Sequence, residues 1–470
     1  MNVIYIIIIF EIILVILLLY TNFKNNNIPY INKNTNSIMS MEKPIIKKGT
    51  LDNGLKYIIN NTKCGDKVTT MLFIKVGSRD ETLKLNGISH VLEHMMFQGT
   101  SIYPSSQKIH EAIDKYGAEF NAYTSLDVTC YYITIYPDYV NHAIEILSDI
   151  YLNSLILDKN LQKEKIVVLN EIKKYKSMPS RVIQQDIISA IMKDTPMKNP
   201  IYGMESNVKS FKREDLMSFL NFYYNPNKVL LSIGGYTDNP TKLIKSITLH
   251  FGISKRYPSP YKIKGKRELF HRFYDFKTQS KIHYIKKDLD TTYLTIGFPA
   301  YKLNSKNSYI LDLTATILAG YMSSRLYKRL RNDLGIIYSI SNNIETFEDC
   351  GYYYLMCSTN NIDKCVSLIM EELESLKTTL VSDKEIMRAK DYINGSHKMS
   401  MNDSRSLATH YGIHYLYYGK IVTKEESIRI LNSVSASDIK RIANLTFKHS
   451  KMKLTYMGKN KRPLKNILSS

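Results

Sequence analysis

The sequence predicts an α+β fold: two homologous α/β-sandwich halves, each a mixed sheet with helices packed on one face, preceded by an N-terminal membrane-anchor helix. Three observations carry this. Short β-branched runs alternate with longer stretches of helical period along the body. Strand-like runs in the first half are echoed in the second: Thr69–Gly77 (TTMLFIKVG) by Thr291–Phe298 (TTYLTIGF), and Lys228–Gly235 (KVLLSIGG) by Lys451–Met457 (KMKLTYM). The length, 470 residues, suits two units of roughly 200 residues plus a leader.

The leader comes first. Residues 3–20, VIYIIIIFEIILVILLLY, are apolar except for Glu11, and as a helix they span ~27 Å, about one bilayer core. No Lys or Arg precedes the run, and Thr21–Asn22–Phe23 is a poor cleavage site, so an uncleaved anchor is expected rather than a signal peptide. Lys24, Lys33, Lys43, Lys47 and Lys48 follow the run, which places the body on the cytosolic side. The segment is neither Arg-rich nor amphipathic, so a mitochondrial matrix location is not expected. Glu11 costs ~2–3 kcal/mol near the bilayer centre unless paired or protonated. Residues 22–47, rich in Asn, Lys and Ser, read as a flexible tether.

The body divides into a catalytic half over 48–240, a boundary over 241–285 and a second half over 286–470. In the first half, strands are expected at Leu51–Thr62, after the Asp52–Asn53–Gly54 turn, and at Thr69–Gly77. Helices follow at Ile88–Phe97 and Gln107–Lys115, the second ended by Gly117. Strands at Glu119–Tyr123 and Val128–Tyr136 precede helical stretches at Tyr139–Leu152, Asn160–Met192 and Arg213–Phe222, and Lys228–Gly235 closes the half. Residues 238–290 are rich in Lys, Pro and Ser with little periodicity. The second half offers a helix at Tyr309–Ala319, strands near Ile337–Ile344 and Tyr352–Ser358, and helices at Asp363–Lys377 and Asp383–Tyr418.

A hydrophobic fraction of 44% and a charged fraction of 23% exclude a disordered or collagen-like chain. Lys plus Arg exceed Asp plus Glu by 64 to 43, a net +21. That excess fits an anionic partner, but a lysine-rich solvated surface explains it as well. No nucleic-acid motif or nucleotide-binding glycine loop is present, so no specific nucleic-acid binding is expected. The five cysteines include no CxxC pair, which argues against a zinc ribbon and fits reduced thiols facing the cytosol.

The chemistry concentrates in GISHVLEHMMFQGT, residues 87–100. On a helix His90 and His94 stand at i and i+4, so both imidazoles leave one face and can reach one Zn²⁺ at ~2.0–2.1 Å. Glu93 projects to the same side and can take a proton from zinc-bound water. With eleven His in the chain, a chance HxxEH is expected at about the one-in-a-hundred level. A catalytic zinc wants a third protein ligand. Glu164 and Glu171 in KEKIVVLNEIKKY are seven apart, two turns along one helix face. One of them can ligate while the other orients a histidine.

On these motifs the sequence resembles the inverzincin metallopeptidases: pitrilysin, insulin-degrading enzyme and the mitochondrial processing peptidase. The resemblance spans roughly residues 48–459. In that family the zinc-binding Glu follows HxxEH by roughly 75 to 80 residues, and Glu171 lies 77 positions after His94. The resemblance implies His90, His94 and Glu171 as ligands of one zinc per chain, Glu93 as general base, and Glu164 as the carboxylate that supports the ligands. It likens GAEFNAYTSLDVTCYY (117–132) to the substrate-binding edge strand, with Asn121 and Ala122 beside the zinc and a peptide added by β-augmentation. It likens SSRLYKRLRNDLGIIYSI (323–340) to the segment carrying an Arg/Tyr pair, here Arg331 and Tyr338, which would hold the substrate and stabilise the oxyanion.

The expected function is therefore zinc-dependent endopeptidase action on peptide or protein substrates. An inactive family member serving as a scaffold is the alternative, which the intact ligand set opposes. A two-unit body is half of the four-unit clam found in longer relatives, so a homodimer or paired subunit is expected to complete the chamber.

Overall fold

The computed structural model describes residues 45–62, 65–253, 281–400 and 403–464. The expected anchor (3–20), and the tether up to residue 44, lie outside the described residues. Among those described, no helix is long and apolar enough to cross a membrane.

Ile45–Thr50 (β1) and Lys56–Thr62 (β2) form an antiparallel hairpin around the Asp52–Asn53–Gly54 turn, so the body begins three residues inside the expected tether. Val68–Ile74 (β3) is buried along its whole length. The helix Ile88–Met96 (α1) follows, then strands Glu119–Thr124 (β4) and Thr129–Ile135 (β5). Three helices come next, Val140–Asn153 (α2), Asp158–Ser177 (α3) and Pro179–Ile191 (α4), and Val229–Tyr236 (β6) completes the first sheet. The sheet order is β1-β2-β6-β3-β5-β4, which leaves β4 on an edge.

The second sheet contains Lys281–Lys286 (β7), Thr292–Ala300 (β8), Ile337–Thr346 (β9), Gly351–Thr359 (β10) and Lys453–Gly458 (β11), in the order β7-β11-β8-β10-β9. Without β1 the two orders correspond strand for strand. Among the described residues, the one parallel pair of each sheet joins the closing strand to the strand outside it, β2–β6 and β7–β11. The duplication thus holds in topology as well as in sequence, and β9 is the counterpart of the edge strand β4.

The expectation of helices on one face of each sheet needs correction. Ser404–Tyr418 (α5), from the second half, lies across the back of the first sheet. Its Leu407, Ala408, Tyr411 and Tyr415 pack on Ile58, Met71, Phe73 and Leu230. In return α4, from the first half, covers the second sheet, with Ile187 and Ile191 against Phe347, Tyr352 and Tyr354. Each sheet is therefore covered on both faces, which is why β3 and β5 read as continuous apolar runs rather than as alternation. The close approach needs glycine: a Cβ on Gly234 of β6 would lie 2.5 Å from the Ala408 amide nitrogen.

The long helical stretches also divide. Asn160–Met192 breaks between α3 and α4 at Pro179, whose ring cannot continue the preceding helix. Asp383–Tyr418 breaks before α5, where the Asp403 carboxylate accepts the Ser406 amide and caps the new helix. The expected boundary is partly structured. Leu243, Ile247 and Phe251 of the helix Pro240–Phe251 belong to the first core, and β7 belongs to the second sheet. The halves are clasped by a buried, bidentate Arg79–Asp349 pair at 2.7 and 3.0 Å.

Candidate active site

Helix α1 divides its residues by face. Ile88, Val91, Leu92, Met95 and Met96, at i, i+3, i+4, i+7 and i+8, are buried in the first core. His90, Glu93 and His94 turn the other way and line a cavity of about 710 Å³. The helix start is anchored by Glu81. Its carboxylate accepts the backbone amides of Gly87 (2.8 Å) and Ser89 (2.9 Å) and the Asn86 side chain (3.1 Å), occupying donors that the first helical turn leaves open. Gly87 has φ +100°, and a Cβ there would meet the Gly203 Cα at 2.6 Å, so the entry turn requires glycine.

Helix α3 runs past α1 with Leu161, Val168 and Ile172 buried, and presents Glu164 and Glu171 to the same cavity. The ligand atoms of His90, His94 and Glu171 lie within 4.8 Å of one another, the one such cluster among the described residues. Glu171 Oε2 faces both histidines, 3.7 Å from His90 Nε2 and 3.6 Å from His94 Nε2. These gaps are too long for hydrogen bonds. Two imidazole nitrogens and one carboxylate oxygen converging on one point, open on one side to a cavity, match the donor set of a catalytic zinc.

The surrounding contacts orient these donors. Glu164 Oε2 lies 3.1 Å from His94 Nδ1, which turns Nε2 towards Glu171. The Tyr175 hydroxyl donates to Glu171 Oε1 at 2.6 Å, leaving Oε2 for the shared point. The Thr124 hydroxyl donates to Glu93 Oε2 at 2.7 Å.

The electrostatics favour a cation. Burial, with help from His94, lowers the His90 pKa to about 4, so this ring is neutral with a lone pair to offer. Burial also opposes a charged His94, but Glu164, Glu171 and Glu93 outweigh it and lift its pKa to about 10. Glu171 falls to about 2, chiefly through His94. Glu164, Glu171 and Glu93 thus favour positive charge at this point, the charge a divalent ion would supply. Burial raises the Glu93 pKa, with the Thr124 hydroxyl and His94 partly offsetting it.

Asn121 and Ala122, on edge strand β4, line the same cavity, and Asn121 Oδ1 accepts the Ala122 amide at 2.8 Å. Arg331 and Tyr338 do not line it. They stand together elsewhere, the guanidinium 4.9 Å above the phenol ring, with Tyr338 75% exposed. Four residues outside the sequence-predicted set also stand at the site: Glu81, Thr124 and Tyr175 through the hydrogen bonds above, and Arg181, which lines the cavity. Helical spacing could have found Tyr175, four residues after Glu171, and strand period could have found Thr124, two after Ala122.

Comparison with known proteins finds relatives in both sequence and fold. Residues 56–205 match the family described as insulinase (peptidase family M16), and residues 210–393 match the M16 inactive domain. An uncharacterized zinc protease, YmxG, of Bacillus subtilis (strain 168) is 31% identical over 405 residues, covering 86% of this chain and 96% of the relative. One from Rickettsia felis is 33% identical over 401 residues, covering 84% of this chain and 94% of the relative. Among solved structures, a protease from Helicobacter pylori aligns with a TM-score of 0.79 at 20% identity, covering 88% of this chain and 99% of its own. A putative M16-like peptidase from Alicyclobacillus acidocaldarius aligns at 0.77 and 18%, covering 88% and 98%. At these identities the solved structures speak for the fold alone.

Proposed function

The chain belongs to the insulinase (M16) family of zinc metalloproteases, and on that premise we propose that it hydrolyses internal peptide bonds with Glu93 as general base. The observation that carries this reading is the convergence of His90, His94 and Glu171 beside a cavity that also holds Glu93. Zinc held by these three residues would supply a Lewis acid for the scissile carbonyl and would lower the pKa of the attacking water. Glu93 takes the proton of that water, its affinity for it raised by burial. Thr124 holds one carboxylate oxygen so that the proton acceptor keeps one position. Glu93 then passes the proton to the leaving amine. Glu164 keeps the His94 ring from rotating. The open edge of β4, with Asn121 and Ala122, receives the substrate as an added strand.

Arg331 and Tyr338 fit this scheme as substrate and oxyanion donors only from a second molecule, since within one chain they stand apart from the cavity. A homodimer or paired subunit in which each site borrows the other chain's pair is therefore part of the proposal. So is anchoring by residues 3–20 with the body facing the cytosol, supported by the hydropathy of that run and the lysines after it.

The test is Glu93→Gln. We expect peptide cleavage to fall by about 10²–10⁴-fold while metal analysis still finds zinc, and cleavage by the unaltered protein to stop on chelation. Normal turnover by the zinc-loaded variant would overturn the assignment of Glu93.

A further inference from the structure

Arg181 is the one permanently charged cation among the residues that line the zinc cavity. It is exposed, and its contacts are with uncharged groups, Gln184 and Tyr175. Yet it does not wave freely. Its guanidinium lies 5.7 Å above the Tyr175 ring, the same ring whose hydroxyl holds Glu171. Its Nη1 donates to Gln184 Oε1 at 3.2 Å, and the Gln184 amide donates in turn to the Tyr354 hydroxyl at 2.9 Å, in the second half. The group is thus pre-oriented by a stack and by a hydrogen-bond chain that crosses between the halves. One of its five N–H donors is used in that chain, and the residue lines the cavity.

Its position runs against local helix chemistry. Arg181 is the third residue of α4, inside the first turn, where the helix dipole disfavours a cation. A carboxylate ligand would reverse that: it would meet the guanidinium fork and the positive helix end together. The acidic groups of the cavity are already engaged, Glu164 with His94, Glu171 with the histidines and Tyr175, and Glu93 with Thr124.

We infer that Arg181 is a specificity-determining residue that recognises a carboxylate of the peptide substrate. It stands one aromatic ring from the zinc-facing Glu171, about three residues or fewer of extended chain from the scissile bond. The carboxylate belongs either to an Asp or Glu side chain or to a free peptide C-terminus. The net charge of +21 acts in the same direction, drawing acidic peptides towards the protein at low salt. This deepens the peptidase reading and rests on it for the location of the scissile bond.

The experiment uses the zinc-loaded full chain and one peptide scaffold. A single Glu is moved through the positions flanking the cleavage site, each version is paired with its Gln counterpart, and each is made with a free or an amidated C-terminus. At one position, or at the free terminus, kcat/KM should favour the carboxylate by about 5- to 10-fold. Arg181→Gln should bring that ratio to about one, Arg181→Lys should leave part of it because the charge stays while the fork is lost, and Arg181→Glu should favour a Lys-bearing peptide. The Glu and amide series separate the two sources of the carboxylate. Binding of the same peptides to zinc-loaded Glu93→Gln, with and without Arg181→Gln, reads recognition without turnover. Cleavage whose carboxylate preference survives Arg181→Gln, or binding blind to position 181, overturns the inference and leaves the peptidase reading standing. Binding that depends on Arg181 in a protein that cleaves nothing upholds the inference and overturns the peptidase reading.

Discussion

The clasp between the halves makes the sharpest stability prediction. Arg79 lies in the turn leading to α1, and Asp349 in the turn joining β9 to β10. Their paired bonds measure 3.0 and 2.7 Å, and their side chains are 1% and 0% exposed. Asp349→Ala removes the bidentate carboxylate partner of a buried guanidinium, which costs about 3–5 kcal/mol. A buried pair replaced as a unit behaves differently, so Arg79→Leu with Asp349→Leu should recover most of that loss. The assay is urea unfolding of the zinc-loaded protein by circular dichroism. Tyrosine fluorescence is the second probe, because the chain has 36 Tyr and no Trp. The exchange of α4 and α5 between the sheets should make both halves unfold together, so the two probes should coincide. With a slope of about 3 kcal/mol/M, the single variant should lower the midpoint by about 1–1.7 M. A shift below about 0.3 M, or a double variant as unstable as the single one, would refute the reasoning.

Three further predictions concern the site and the sheet contacts. Thr124→Val removes the hydroxyl that partly offsets the burial of Glu93, so the Glu93 pKa should rise further; the acidic limb of the kcat/KM profile should move to higher pH, with activity at neutral pH down by about 3- to 10-fold. Burial lifts Glu81 to about 8 despite its backbone donors. Its folded state therefore holds a proton more tightly than its unfolded state, and the associated stability is present below about pH 4.5 and is lost as the pH rises towards 8. Glu81→Gln should flatten that decline in melting temperatures recorded from pH 5 to 8, and an unchanged slope would assign the decline to other groups. Gly234→Ala would set a Cβ 2.5 Å from the Ala408 amide and 2.6 Å from the Ser404 carbonyl, so thermal unfolding should show a loss of about 1–3 kcal/mol.

Much of the site was legible because its chemistry is local. His90, Glu93 and His94 fall on one face of a helix by spacing alone, and Glu164 and Glu171 fall on one face of another. The duplicated sheets were legible for a similar reason, since matching strand runs imply matching strands. The boundaries were harder. Pro179 ends α3, but the apolar period resumes at once in α4, so the pattern reads as one helix. A period also cannot tell which sheet a helix will cover. Ile183, Ile187 and Ile191 mark an apolar face on α4, but nothing in that spacing says that it packs on the other half's sheet.

The sequence by itself determined that His90, Glu93 and His94 share one helix face, that Glu164 and Glu171 share another, and that the α+β architecture is duplicated, because each depends on spacing within one helix or on matching strand runs. Only the tertiary structure decided what those elements meet. It exchanged α4 and α5 between the halves, brought Thr124 to Glu93 and Tyr175 to Glu171, turned Arg181 into the zinc cavity and left Arg331 and Tyr338 outside it. The physical reason is that periodicity records which side of an element is apolar, whereas the choice of partner depends on the shape and charge of surfaces that come together only when the chain has folded.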